Sequence, residues 1–406
     1  MKPLHTTGTK GVAFWTLVLA STAGHIVNGA TTPVIPRLAE DQLGADPALA
    51  GLLVSLAAFA SIIAMPIAGA LTDRWGPRRV ILAAALLSAV GLALVLVMLS
   101  IPSLAVSRIV FGAGNAAVAT ALTAWVVAEA PVGERGRALS FFGLSVWVGL
   151  ALGPVLGDSL LQSFGHRAVW AAAVVIQLLG LLCALSARDG SAPRRAATAT
   201  RTRASGALRT ILTSALRPGS VGFIAWAGEG FLIAFLITHL VGQGVETGGL
   251  FGAANVFTVF AASVVVARLL MGGLPDRIGA ATTARASLVV LAAGLGVLAI
   301  AHTFSTAAIG AALIGLGYSP LFPALTLLAT RDLDADRRAT GVGVFSAFTS
   351  AGYAVGSLVG GLLVTQLGSS AALGILAVLQ LVAIGILRRG RAGERRVAPA
   401  VEPPLV

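Results

Sequence analysis

The sequence predicts an all-helical integral membrane protein with twelve transmembrane helices in two pseudo-symmetric six-helix bundles. Three observations predict it: a composition too apolar for water, basic residues gathered on alternate loops, and an internal repeat. The 406 residues are 57% hydrophobic and only 11% charged, whereas a soluble domain carries roughly 25% charged residues. Each spanning helix needs about 20 apolar residues, so with loops this length accommodates about twelve spans. The net charge of +12 does not call for a nucleic-acid partner, because the basic residues lie in short loops between apolar runs. The one cysteine, Cys183, lies inside an apolar run and excludes a disulfide framework.

Taken in order, the first span (12–38) is too long for the apolar core of a cleaved signal peptide. The second (48–72) ends in the basic turn GALTDRWGPRR, from which the third (79–99) departs. The fourth (101–129) holds Arg108, the fifth (137–163) a glycine-proline run, and the sixth (166–187) closes a first half, 1–187. A linker rich in Arg, Ala and Thr (188–215) leads to the seventh span (216–243), which carries Glu229. The eighth (247–272) ends at a second Asp-Arg turn. The ninth to twelfth (281–301, 304–330, 338–365, 369–388) complete a second half, 216–388, before a tail at 389–406.

Basic residues fall overwhelmingly on one set of loops. These hold Arg74, Arg78, Arg79, Arg135, Arg137, Arg268, Arg277, Arg285, Arg331, Arg337, Arg338, the linker and both termini, while the opposite set holds only Arg37 and Arg167. Positive residues stay inside, so both termini are expected in the cytoplasm, with the protein in the cytoplasmic membrane.

The repeat fixes the plan. GALTDRWG, starting at Gly69, is echoed by GGLPDRIG, starting at Gly272, a shift of 203 residues. The same shift maps Gly112 and Gly114 onto Gly315 and Gly317, and Gln177 onto Gln380. It also maps Gly149, Gly153 and Gly157 onto Gly352, Gly356 and Gly360. Parallel repeats of this kind place a substrate site near the midplane between the halves.

Several motifs carry chemistry. In the turn after the second span, Gly69 permits close helix approach and Gly76 a tight turn. Asp73 offers a carboxylate to basic groups or a helix N-terminus beside Arg74. Asp276 and Arg277 repeat that pair in the second half. The fifth span has glycines at 149, 153 and 157, a smooth groove that Pro154 bends. Together the Gly69–Arg79 turn, Arg108 with Gly112, and the GPxxG of the fifth span resemble the major facilitator superfamily, in particular its twelve-span drug:proton antiporters. The resemblance covers essentially the whole chain. It implies a carrier that opens alternately to each side, with Asp73 and Arg74 clasping the cytoplasmic end and the fifth-span run acting as a gate.

Glu229 stands thirteen residues into its span, roughly 20 Å deep. An unpaired carboxylate there costs several kcal/mol, so it is neutral, paired or facing a wet cavity. Proton or cation work competes with a structural carboxyl. Arg108, roughly 10 Å inside the fourth span, modulates that proton site, holds an anionic substrate group or clamps backbone carbonyls, and pairing with Glu229 stays open. His25 suits a proton relay or a packing role equally, and Asp158 near the end of the fifth span is a further proton-coupling candidate. Asn28, Trp125, Trp226, Asn255 and Tyr318 are candidate cavity residues, with packing or an interfacial belt as the competing reading.

No phosphate-binding loop, zinc-spaced His pair or catalytic carboxylate pair is present, so neither an enzyme nor an ATP-driven pump is expected, and no cofactor or metal. The expectation is a monomeric secondary active transporter whose partners are protons, a small-molecule substrate and the bilayer. Proton-driven export of an amphipathic, drug-like molecule is favoured by the GPxxG. Uptake of a nutrient such as a sugar or organic acid is the alternative, and a membrane-embedded sensor or enzyme the alternative of another class.

Overall fold

A computed structural model describes residues 9–187, 204–246 and 251–388. Fifteen α-helices run through them. The first half holds α1 (Thr9–Thr31), α2 (Val34–Leu43), α3 (Pro47–Trp75), α4 (Pro77–Val97), α5 (Ile101–Glu129), α6 (Arg135–Phe142), α7 (Leu144–Phe164) and α8 (His166–Ser186). The second holds α9 (Ala204–Gly242), α10 (Ala253–Met271), α11 (Leu274–Ile278), α12 (Ala280–Ala299), α13 (Phe304–Thr330), α14 (Arg338–Leu367) and α15 (Ser369–Arg388). Among the described residues ten helical stretches are long and apolar enough to cross a membrane, with α6 and α7 counted as one. With α1 and the shorter apolar run of α10, they make the twelve-helix fold. The exposed side chains are themselves apolar: Ile63, Val90, Leu182, Leu358 and Leu362 are each more than 60% exposed. In a multi-pass membrane protein that surface faces lipid.

Short turns join the spans because the sequence supplies caps. Asp46 and Ser100 accept the backbone N–H groups of Leu49 and Ser103, and Thr303, 203 residues after Ser100, accepts that of Thr306. Gly76, with φ +82, ends α3 and starts α4, and Gly279, with φ +84, does the same before α12.

The repeat recurs in packing. In the first half α1 lies in the groove of α7, where a Cβ on Gly149, Gly153 or Gly157 would meet His25, Gly29 or Ala30 within 2.7 Å. In the second half α9 lies against α14 at the equivalent Gly352, Gly356 and Gly360, which face Phe223, Ala227 and Phe231. Gln380 donates to the carbonyl of Ile224, tying α15 to α9.

Three elements depart from the sequence reading. The first span breaks at Thr32 and Pro33 and continues as α2 to Leu43. That helix is amphipathic, with Val34, Ile35, Leu38 and Ala39 buried. The span read from the sequence ends at 38 and takes in only the first half of this helix. The fifth span breaks at Gly143, between α6 and α7. The seventh starts at Ala204, inside the segment read as linker, because Ile211 and Ala215 bury one face against Leu333 and Val344. The rest of that linker (188–203) and the tail (389–406) lie outside the described residues.

A candidate transport site and its closed end

One end of the bundle carries the basic turns and is called here the basic end. There the two halves meet. Asp73, in the turn after α3, accepts the backbone N–H groups of Ala339 and Thr340 at 3.0 and 2.7 Å and the Thr340 hydroxyl at 2.6 Å. These are the second and third residues of α14, whose own cap residue, Arg337, offers no side-chain bond. A helix N-terminus leaves such donors unsatisfied and carries partial positive charge, so a carboxylate from the other half completes it. Asp276 does the same for α6, accepting from Gly136 and Arg137 at 2.9 and 2.8 Å, where the cap residue Glu134 likewise offers no side-chain bond. Burial raises the Asp276 carboxyl above its ordinary value, and the two backbone donors partly offset this.

Close backbone approach accompanies the clasp. A Cβ on Gly69 would collide with the Ala339 carbonyl, and one on Gly343 with that of Met65. The Ser140 hydroxyl donates to Gly272 O at 3.1 Å. Arg74 and Arg277 are exposed at this end, and Gly76 contributes its positive φ.

Glu229 lies about two-thirds of the way along α9. It is partly accessible, between the buried Gly228 and Gly230. The backbone of Tyr353 in α14 packs against the next residue, Gly230, and Tyr318 of α13 lies on the other side. The Tyr318 hydroxyl donates to Ala225 O at 2.5 Å and faces Gly228. Trp226 packs edge-on against Tyr318 and Phe322, with ring centroids 5.7 and 5.8 Å apart, so the carboxylate sits in an aromatic surround.

The other sequence candidates are placed as follows. Arg108 is 3% exposed in the first half, stacked over Phe111 at 5.4 Å, and its buried Nε finds no hydrogen-bond partner among the described residues. No ion pair joins it to Glu229 among the described residues. His25 is partly exposed on α1, its Nδ1 2.8 Å from Ser21 O. Asn28 accepts from Thr32 at 3.3 Å. Asp158 is separated from the Glu229 group: it lies toward the far end of α7, accessible, in an ion pair with Arg37 at 2.6 Å and bonded by Gln162. Trp125 is 3% exposed in a packing core with Leu122, Val126 and Leu139, so its aromatic face fills core. Asn255 lies in the first turn of α10, at the opposite end from the clasp. Pro154 packs beside Gly29.

Arg268 is the residue that sequence reading missed. Counted among the basic loop residues, it is buried at 6% exposure, and its Nη1 donates across the halves to Ser140 O at 3.2 Å. The signal was its place, four residues inside the span ahead of Gly272.

A family profile described as Major Facilitator Superfamily matches residues 17–254 and 219–405. The chain is 27% identical over 396 residues to a protein of Escherichia coli O6:H1 named as an uncharacterized MFS-type transporter, YhhS, covering 96% of this chain and 93% of that one. It is 26% identical over 376 residues to the MFS-type transporter STM4428 of Salmonella typhimurium, covering 90% and 93%. Among solved structures, the E. coli fucose:proton symporter FucP superposes with a TM-score of 0.78 at 18% identity, covering 93% of this chain and 98% of that one. The human organic anion transporter MFSD10 gives 0.76 at 17% identity, covering 93% and 99%.

Proposed function

We propose that this chain, which belongs to the major facilitator superfamily of membrane transporters, couples proton movement through Glu229 to export of a small amphipathic molecule by alternating access. The observation that carries this reading is the setting of Glu229: a carboxylate at mid-depth, partly accessible and flanked by Tyr318, Tyr353 and Trp226. A charge at that depth is costly unless it does work, and a carboxylate exposed to a cavity exchanges protons. The aromatic surround gives an apolar body a surface to bind.

In this reading the basic end is cytoplasmic, because positive residues stay inside. The clasp of Asp73 and Asp276 then holds the carrier closed to the cytoplasm. Glu229 takes a proton from outside and releases it inside after the halves rock. The membrane potential contributes about 2.3 kcal/mol per charge per 100 mV. The direction of transport rests on the Gly149–Gly157 run, which packs α7 onto α1. Uptake is the second reading: two structural neighbours, FucP and XylE, are named as sugar:proton symporters.

The test is a panel of drugs and metabolites in an efflux-deficient bacterium expressing the protein, with and without a protonophore. Protection and lowered accumulation that disappear with the protonophore support export. Gradient-driven accumulation of a labelled sugar or organic acid, without protection, replaces export with uptake.

A further inference from the structure

We propose that the cleft between α2 and α7, at the end opposite the basic turns, is a binding site for one amine-bearing phospholipid, a phosphatidylethanolamine. Two prolines shape it. The first span breaks at Thr32 and Pro33, where α2 turns away, and Pro154 stands inside α7. The cleft between them has a volume of about 320 Å³ and is lined by Pro33, Val34, Arg37, Pro154, Val155 and Asp158. Pockets that hold small ligands start at about 300 Å³. Four of the six lining residues are apolar, and the polar edge is the ion pair of Arg37 and Asp158, 2.6 Å apart.

The cleft lies where headgroups meet acyl chains. From Arg135 to Phe164, α6 and α7 together span 30 residues (164 − 135 + 1), roughly 45 Å of helix, the thickness of a bilayer with its headgroup regions. Asp158 is six residues, roughly 9 Å, from the end of α7 and so at the boundary of the hydrocarbon. Below it Val155, Leu152 and Val148 are 66%, 54% and 40% exposed, at spacings of three and four that put them on one side of the helix. The glycines of α7 face α1, and Trp147 meets Phe260 of α10 edge-on, so this third side is turned to lipid. The stripe joins the cleft at Val155, as an acyl chain joins a headgroup.

Two opposite charges side by side fit a headgroup that carries both signs. Arg37 spends Nη1 on Asp158, and its remaining N–H groups have no partner among the described residues, which leaves them for a phosphate. Asp158 accepts from Arg37 at one oxygen and from Gln162 at the other, each at 2.6 Å. A carboxylate oxygen can accept a second bond, and this side chain is 43% exposed, so an ammonium joins without displacing either donor. The four charges then alternate in sign. A choline headgroup has no N–H to give Asp158, and a glycerol headgroup has no cation, so each loses one of the two contacts. The repeat carries an internal comparison: a shift of 203 residues maps Arg37 onto Leu240 and Asp158 onto Gly361, so the second half has neither charge and the site is single.

The experiment uses the full chain, purified in detergent micelles with equal amounts of phosphatidylethanolamine, phosphatidylglycerol and phosphatidylcholine, and counts the lipids it retains by native mass spectrometry. The expected result is one retained phosphatidylethanolamine, favoured roughly tenfold over each competitor, as a charge-assisted hydrogen bond allows. Arg37→Gln and Asp158→Asn, both at accessible positions, each abolish the preference. Arg167→Gln, an exposed arginine at the same end but outside the cleft, leaves it unchanged. A parent that retains the three lipids equally overturns the proposal, and so does one that prefers the glycerol headgroup, as any basic surface does. A preference that survives in both Arg37→Gln and Asp158→Asn overturns it as well. None of these outcomes bears on the role of Glu229.

Discussion

Asp73 and Asp276 stand 203 residues apart and do the same thing in opposite directions. Each carboxylate accepts the N–H groups of the second and third residues of a helix in the other half, Ala339 and Thr340 for one, Gly136 and Arg137 for the other. The receiving residues are themselves related by 203 (339 − 136 and 340 − 137). The closed end is thus held by two reciprocal helix caps, supplied in trans.

Removing a cap of this kind costs about 1–2 kcal/mol. Asp73→Ala and Asp276→Ala should each raise the open fraction of the basic end roughly tenfold. Asp73→Ala should have the larger effect, because it also loses the Thr340 hydroxyl bond. The measurement is the labelling rate of a cysteine at Ser140, which is buried between the halves, in a Cys183→Ser background. Equal and unchanged rates would contradict the clasp.

Asp276 gives a pH dependence with a defined sign. Burial raises its carboxyl above 3.8 in the closed state. A raised acid favours the closed state more as pH falls from above that raised value toward 3.8, and the benefit is lost as pH rises through it. Acidification therefore tightens the Asp276 contact, and opening on acidification has to come from elsewhere. In Glu229→Gln, the residual response of the basic end to lower pH should run toward closure. Opening of that variant on acidification would assign the proton response to another group.

The glycine grooves predict a contrast between substitutions. A Cβ on Gly356 would lie 1.9 Å from Ala227 O, so Gly356→Ala must push α14 from α9, at a cost of about 1–3 kcal/mol. Gly374 in α15 has nothing within 4 Å, and Gly374→Ala should be neutral or stabilising by up to about 1 kcal/mol. Thermal unfolding of the two variants in the same lipid nanodisc reads the difference, and equal midpoints would be inconsistent with the packing.

The spans, the repeat and the two turns that carry Asp73 and Asp276 were legible because hydropathy and short motifs are written locally. Gly69, Gly76 and Asp73 announce their turn within eight residues. The contact of Arg268 was not legible, because it is made to a carbonyl at Ser140 in the other half, 128 residues away. Trp125 illustrates the converse. An aromatic in a span reads the same whether it lines a cavity or fills a core, and only its neighbours Leu122 and Val126 decide. Asp158 has its partner, Arg37, 121 residues away in the chain, and nothing local in the sequence pairs the two.

That accessible Arg37–Asp158 pair should contribute little, within about 1 kcal/mol, since water screens both groups. Asp158→Asn should leave proton-driven transport and thermal stability nearly unchanged. Loss of coupling in that variant would move the proton site toward the fifth span.

The central claim is that Glu229 carries the proton. Its most direct test is transport of a substrate identified by the panel, in proteoliposomes with an imposed pH gradient, comparing the parent with Glu229→Gln. The account predicts uphill, gradient-driven transport by the parent. The variant should keep downhill exchange and lose accumulation against a gradient. A Glu229→Gln protein that still concentrates its substrate at the parent rate would contradict it.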